Sequence, residues 1–149
     1  MKMPPREKIH EALTAIVDDR ISINKENSRA EIFSSDRSKK YIVEWHDNEY
    51  ASNDNATYWQ GYPGYPVIAV LLIQNKLTLN KDILPYFKNI NWRKINEEFK
   101  RDYAKAVESI YEGIDKDKIS YIEEEINKIY SELEMLNIVI KKGKQFPPK

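Results

Sequence analysis

The sequence predicts an α+β fold: an N-terminal helix, a small antiparallel meander of three to four strands, a buried central helix and a C-terminal antiparallel helical hairpin. Three observations carry this. Residues 29–35 and 40–46 alternate in polarity on either side of a short polar loop, which is a hairpin signal. Residues 67–73 are apolar without interruption. From Asn91 onward, apolar residues recur three and four apart, as on one face of a helix.

Taken in order, Pro5 opens a first helix that runs to about residue 18. Ile9, Ala12, Leu13, Ile16 and Val17 form its apolar face, and His10, beside that face, reads as a partly exposed surface histidine. Residues 20–23 alternate as a short strand, and 24–28 read as a turn. In the hairpin, Ala30 and Ile32 face away from Glu31 and Phe33. Tyr41, Val43 and Trp45 share one face of the second strand, and Ile42, Glu44 and His46 share the other. Residues 46–48 turn the chain into a further strand at 49–52.

The apolar run at 67–73 fits a buried strand or a buried helix, and periodicity does not separate the two. Its β-branched residues lean to strand. Pro66 suits a first helical turn and Asn75 a helix end, and these decide for helix. A helix apolar on all sides must be covered on all sides. Asn80 then caps a short helical turn through Phe87, limited by Pro85. Asn91 is the N-cap expected for one long helix carrying the stripe Trp92, Ile95, Phe99, Tyr103, Ala106, Val107 and Ile110, and Gly113 ends it. A last helix from about residue 116 carries the seam Ile119, Ile122, Ile126, Ile129, Leu133, Leu136 and Ile140. The chain reads as one domain over 1–149, with a helical part at 78–142 and a disordered tail at 143–149.

Composition excludes several classes. The chain carries 24 basic and 24 acidic residues, so no global field draws it to nucleic acid or anionic membrane. It has no cysteine, which removes disulfides, thiol catalysis and cysteine zinc sites. The first residues lack the apolar core of a signal peptide, and 67–73 is too short to span a bilayer. A cytoplasmic protein without membrane association is expected. There is no phosphate-binding glycine loop and no serine nucleophile elbow, and no cofactor is expected. Glu44, His46 and Asp47, with Asp54 nearby, form the one cluster of acid–base or metal-ligating groups. They carry the enzyme alternative, a small hydrolytic or metal-dependent activity, against the plainer reading of a polar hairpin turn. The acidic run 123–125 reads as the solvated first turn of a helix. The basic pairs 39–40, 93–94 and 100–101 have aromatics nearby, the mix used to bind single strands, although interspersed acidic residues favour an ordinary surface.

Residues 51–77 have the most unusual composition. A polar Asn- and Asp-rich turn leads into a loop where Tyr58, Trp59, Tyr62 and Tyr65 alternate with Gly61, Pro63, Gly64 and Pro66. From Ala12 to Leu77 the chain resembles the SWIM domain family, whose pattern is a strand hairpin, C-x-C, a spacer, and C-x-H opening an apolar helix. YIVEW at 41–45 matches the aromatic-led strand, and WQGYPGYPVIAVLL matches the glycine-containing spacer and helix, including Ala69, Val70, Leu71 and Leu72. The ligand positions fall on Ser52, Asp54, Gly64 and Pro66. These cannot hold zinc, which takes four ligands that are usually thiolate or imidazole. The resemblance therefore implies a metal-free, non-catalytic interaction module for a protein or nucleic-acid partner. Packing must stand in for the metal, and Tyr58, Trp59, Tyr62 and Tyr65 are the candidates either to close the core or to meet a partner. Trp59 is expected in the core. The last helix carries more apolar positions than one neighbour covers, namely Tyr121, Tyr130, Met135, Ile138 and Val139, and favours a homodimer over intramolecular burial.

Overall fold

The computed structural model describes residues 1–100 and 102–149. Helix α1, Lys8–Val17, leads into an antiparallel meander of β1 (Ile21–Asn24), β2 (Arg29–Phe33), β3 (Lys40–His46) and β4 (Glu49–Ser52). A π-helical turn, Ala56–Gln60, precedes α2, Tyr65–Ile73. A 3₁₀ segment, Lys81–Phe87, then leads to α3 (Trp92–Glu98), α4 (Tyr103–Ile110), α5 (Lys116–Met135) and a final strand, β5 (Val139–Lys142). The five strands lie in the order β1-β2-β3-β4-β5, with β5 parallel to β4. This is the α+β architecture expected, with one strand more than the meander.

Alternation along the strands puts Ala30, Ile32, Val43 and Tyr50 into the core. β3 and β4 pack on α2. Every residue of α2 from Val67 to Leu72 is fully buried, because α1 covers one side and the sheet another. Burying each large aliphatic side chain there contributes roughly 1.5–3 kcal/mol. Asn80 and Asn91 act as the N-caps expected: their side chains accept from the backbone N–H of Asp82 (2.9 Å) and Lys94 (3.1 Å).

Three expectations are corrected. The long helix from Asn91 is two helices, α3 and α4. Lys100 has φ +50°, and Asp102 restarts the helix by accepting from the Lys105 N–H at 3.3 Å. Arg101, one of the basic pairs, lies outside the described residues. The last helix stops at Met135. Ile138, Val139 and Ile140 are β-branched residues, which suit a pleated strand, and β5 pairs with the otherwise open edge of β4. His10 is not on the surface; it is fully buried among Phe87, Trp92 and Tyr111, whose ring centroids lie 5.7, 6.4 and 6.3 Å away. The helices after α2 cover a wider arc of α1 than its apolar stripe defines.

Residues 143–149, expected as a free tail, touch the sheet. The Gly143 N–H donates to the Ser52 carbonyl at 2.8 Å, and the Phe146 ring lies 5.7 Å from Tyr58. Of the apolar positions off the α5 seam, Ile138 is buried, and the Tyr130 hydroxyl donates to the Pro4 carbonyl at 3.0 Å. Met135 and Val139 remain exposed. No helix among the described residues is long and apolar enough to cross a membrane.

The start of α1 is fastened to α5. Arg6 pairs with the Glu123 carboxylate and donates to Asn127 Oδ1 at 2.7 Å, and His10 Nε2 lies 3.8 Å from Glu123. Burial pushes the Glu123 carboxyl up, but His10, Tyr111 and Arg6 outweigh burial and hold it at about 2, below its ordinary 4.5. A depressed carboxyl stabilises the fold fully above its unfolded value and loses that contribution as pH falls through the folded value. Thermal stability should therefore decline between pH 4.5 and about 2. In Glu123→Gln that part of the decline should shrink, read as Tm against pH. Parallel curves for the two proteins would remove Glu123 from the account.

Candidate functional site

Beyond β4 the chain turns on a buried polar pin. The Ser52 hydroxyl donates to Asp54 Oδ1 at 2.6 Å, and the Thr57 backbone N–H donates to Oδ2 at 3.1 Å. The Gly64 N–H then donates to the Thr57 hydroxyl at 2.9 Å. A Cβ on Gly64 would overlap Asp54 Oδ2, so the carboxylate fills the space of a missing side chain. Gly64 has φ −75°, which any residue adopts, and space alone demands glycine here. Burial pushes the Asp54 carboxyl up, opposed by its bonds from Ser52 and Thr57. Pro66, also buried, follows in the first turn of α2. Of the four positions that the SWIM resemblance singles out, Ser52, Asp54 and Gly64 come together across the loop, with Asp54 between the other two. Among the described residues no three carboxylates or imidazoles gather as a metal site.

The pin sets the aromatic loop over a cleft of about 960 Å³. Trp59, Tyr62 and Tyr65 line one wall. Tyr41 and the β2–β3 loop supply another, α3 and Tyr103 a third, and Lys8 and Glu11 of α1 the base. The wall from α3 is tethered at its N-terminal end. The Trp92 N–H donates to Ser35 Oγ at 3.3 Å, and its indole N–H donates to Thr14 Oγ1 at 2.8 Å. Arg93 pairs with Asp36 at 3.2 Å. Bonds from Ser38 and Ser34 hold the Asp36 carboxyl well below the carboxylate range.

Lys8 lies 3.1 Å from Glu11 and 4.8 Å from the centre of the Tyr103 ring. Burial pulls its ammonium down, but Glu11 and Tyr103 outweigh that and hold it above the ordinary lysine range. Burial pushes the Tyr62 and Tyr65 hydroxyls up, so both stay neutral hydrogen-bonding groups near pH 7.

Trp59 is not a core residue. It is 60% exposed, with Tyr58 packed edge-on at 4.6 Å and Lys142 over the pair. It lies in the π-helical turn before the loop's glycines and prolines, where a sequence pattern cannot tell a wall from a core. The enzyme alternative is dispersed. His46 and Asp47 stand 3.5 Å apart at the tip of the β3–β4 turn, with side chains 86% and 85% exposed. Glu44 faces a separate cavity of about 170 Å³ beside Arg29 and Asn53. Sequence reading missed Lys8, Glu11, Trp92, Asn96 and Tyr103. Its faint signal was the basic pairs, since Lys39, Arg93 and Lys100 each supply one member to the cleft.

The family model described as Uncharacterised conserved protein UCP014422 matches residues 1–139, and the chain belongs to that family. No curated protein and no solved structure matches the chain.

Gly64→Ala should destabilise by about 1–3 kcal/mol through overpacking. Asp54→Ala should cost about 1–3 kcal/mol by leaving buried donors unpaired. Because the new methyl group needs the space the carboxylate vacates, the double variant should lose less than the sum in denaturant titrations. Simple additivity would show that the two positions do not share that space. Trp59→Ala, by contrast, should shift stability by no more than about 0.5 kcal/mol, as for a surface substitution.

Proposed function

We propose that this member of the UCP014422 family is a non-catalytic interaction module that takes its partner in the cleft under the aromatic loop. The observation that carries this reading is convergence. Three of the four aromatics singled out from sequence, Trp59, Tyr62 and Tyr65, line one cleft with basic residues from three separate segments. Aromatic rings with neighbouring cations are the side chains interfaces enrich, because they bring large contact area at low entropic cost.

The resemblance to SWIM domains supports the same reading. In that register the ligand positions are occupied by the Ser52–Asp54–Gly64 pin, a hydrogen-bonded substitute for a metal cross-link. The module is accordingly metal-free and works by presenting a shaped surface. The enzyme alternative is less favoured: Glu44 lines a small cavity, whereas His46 and Asp47 stand exposed at the turn tip.

A photoreactive amino acid placed at Gln60, on the cleft, should form adducts with a partner in the native host. The same probe at His46, at the exposed turn, should not. Adducts from His46 alone, or adducts from Gln60 that persist at full yield in Tyr62→Ala/Trp59→Ala, would move the partner away from the cleft.

A further inference from the structure

The charge of the cleft differs from that of the chain. Lys8, Lys39, Arg93 and Lys100 line it against Glu11 and Glu97, an excess of two positive charges in a protein whose total balances. Among the described residues no carboxylate lies within 4 Å of the Lys39 or Lys100 ammonium, whereas Lys8 and Arg93 are paired. The rim therefore offers free cations, and a ligand that uses them carries negative charge.

The walls select the kind of anion. Trp59, Tyr62 and Tyr103 are not buried and hold their rings at the cleft. Ala56 is the one aliphatic residue among the described lining, so the cleft offers no apolar groove to an amphipathic helix. The sheet edges are β1 and β5, while the cleft takes Tyr41 from the interior strand β3, so a peptide cannot add there as a strand. Flat π-faces beside unpaired cations suit a ligand of planar rings joined by anionic groups.

The base of the cleft adds an independent observation. Asn96 donates through Nδ2 to Glu11 Oε1 at 3.0 Å, which leaves Asn96 Oδ1 buried without a hydrogen-bond partner. Glu11 is 6% exposed, and its Oε2 is met by the Lys8 ammonium at 3.1 Å. A buried acceptor without a donor is a cost that a ligand bearing N–H groups relieves. Amino-bearing bases carry such groups on their edges.

We propose that the cleft binds single-stranded nucleic acid, with bases stacked on Trp59, Tyr62 and Tyr103, phosphates held by Lys39 and Lys100, and an amino-bearing base edge met by Asn96. Single strands are required because paired bases cannot present their faces to the rings. The proposal rests on the reading of the cleft as the partner site and names the partner's class.

The test is fluorescence anisotropy with labelled oligo-dC, oligo-dT and mixed-sequence RNA strands of about 12 nucleotides, a length within known single-strand site sizes. A duplex of the same length and polyglutamate serve as competitors. Single strands should bind at low salt, and neither competitor should displace them at equal charge. Lys39→Gln and Lys100→Gln should each lower the salt slope by about 0.7, as for one lost contact to a single strand. Tyr62→Ala should weaken binding roughly five- to hundredfold with the slope unchanged, as for one lost stack. Oligo-dC should bind more tightly than oligo-dT, and Asn96→Ala should erase that difference. Lys39 and Lys100 are surface residues, so their variants keep the fold, and circular dichroism checks the others.

Equal displacement by polyglutamate or duplex overturns the proposal in favour of general charge attraction. No binding by any single strand also overturns it. If Gln60 adducts to a polypeptide form in that case, the partner-site reading stands with a protein as the ligand. If they do not, both readings fail together. An oligo-dT preference equal to or above oligo-dC removes Asn96 from the site.

Discussion

Helix α2 has no polar face, and the remainder of the structure answers that constraint. Six consecutive residues, Val67 to Leu72, have no exposed surface. An amphipathic helix can lie on a sheet with its other side in water; this one cannot. α1 covers one side, β3 and β4 lie on another, and Ile83 and Phe87 of the 3₁₀ segment join the same continuous core. Covering α2 with a second helix also explains why α1 is itself so deeply buried, down to a histidine and a glutamate on its flank.

A fully enclosed helix needs an entry point that does not leave backbone groups unpaired. The Asp54 pin serves that purpose. It joins the end of β4 to the π-helical turn and, through Thr57, to Gly64 at the N-terminus of α2. A buried carboxylate is a costly element in an apolar setting, and its cost falls only when its oxygens are met by donors. Here Ser52 and Thr57 meet them. The loop between Thr57 and Gly64 is held at both ends, so its aromatics keep a defined orientation although Trp59 faces solvent.

The C-terminal segment completes the same region from the far side. β5 lies along β4, and the Gly143 N–H bonds the carbonyl of Ser52. A Cβ on Gly143 would come within 2.8 Å of the Asn53 backbone nitrogen, so close approach demands glycine there. Lys142 then sits 5.1 Å over Tyr58, and Phe146 packs near the same ring. Strand pairing at the end of the chain therefore braces the back of the aromatic loop, whose front forms a wall of the cleft.

Local pattern alone determined the meander, the caps at Asn80 and Asn91, and the enclosure of residues 67–73, because period-two alternation, Asx chemistry and an unbroken apolar run are each written within a few neighbouring residues. It also marked the aromatic loop and the positions of the pin. Tertiary structure alone decided the rest. Ile140 suits a helix seam and a strand equally in sequence, and the open edge of β4 made Val139 to Lys142 strand. The stripe from Trp92 to Ile110 reads as one helix, yet Lys100 takes φ +50° and Asp102 caps a new helix, so that α3 and α4 each face the core. Trp59 and His10 exchanged their expected places, because burial depends on which distant elements arrive above a residue, and no window of sequence contains them. The cleft is the extreme case: its cations and rings come from α1, the hairpin loop, the aromatic loop, α3 and α4, and only folding sets them face to face.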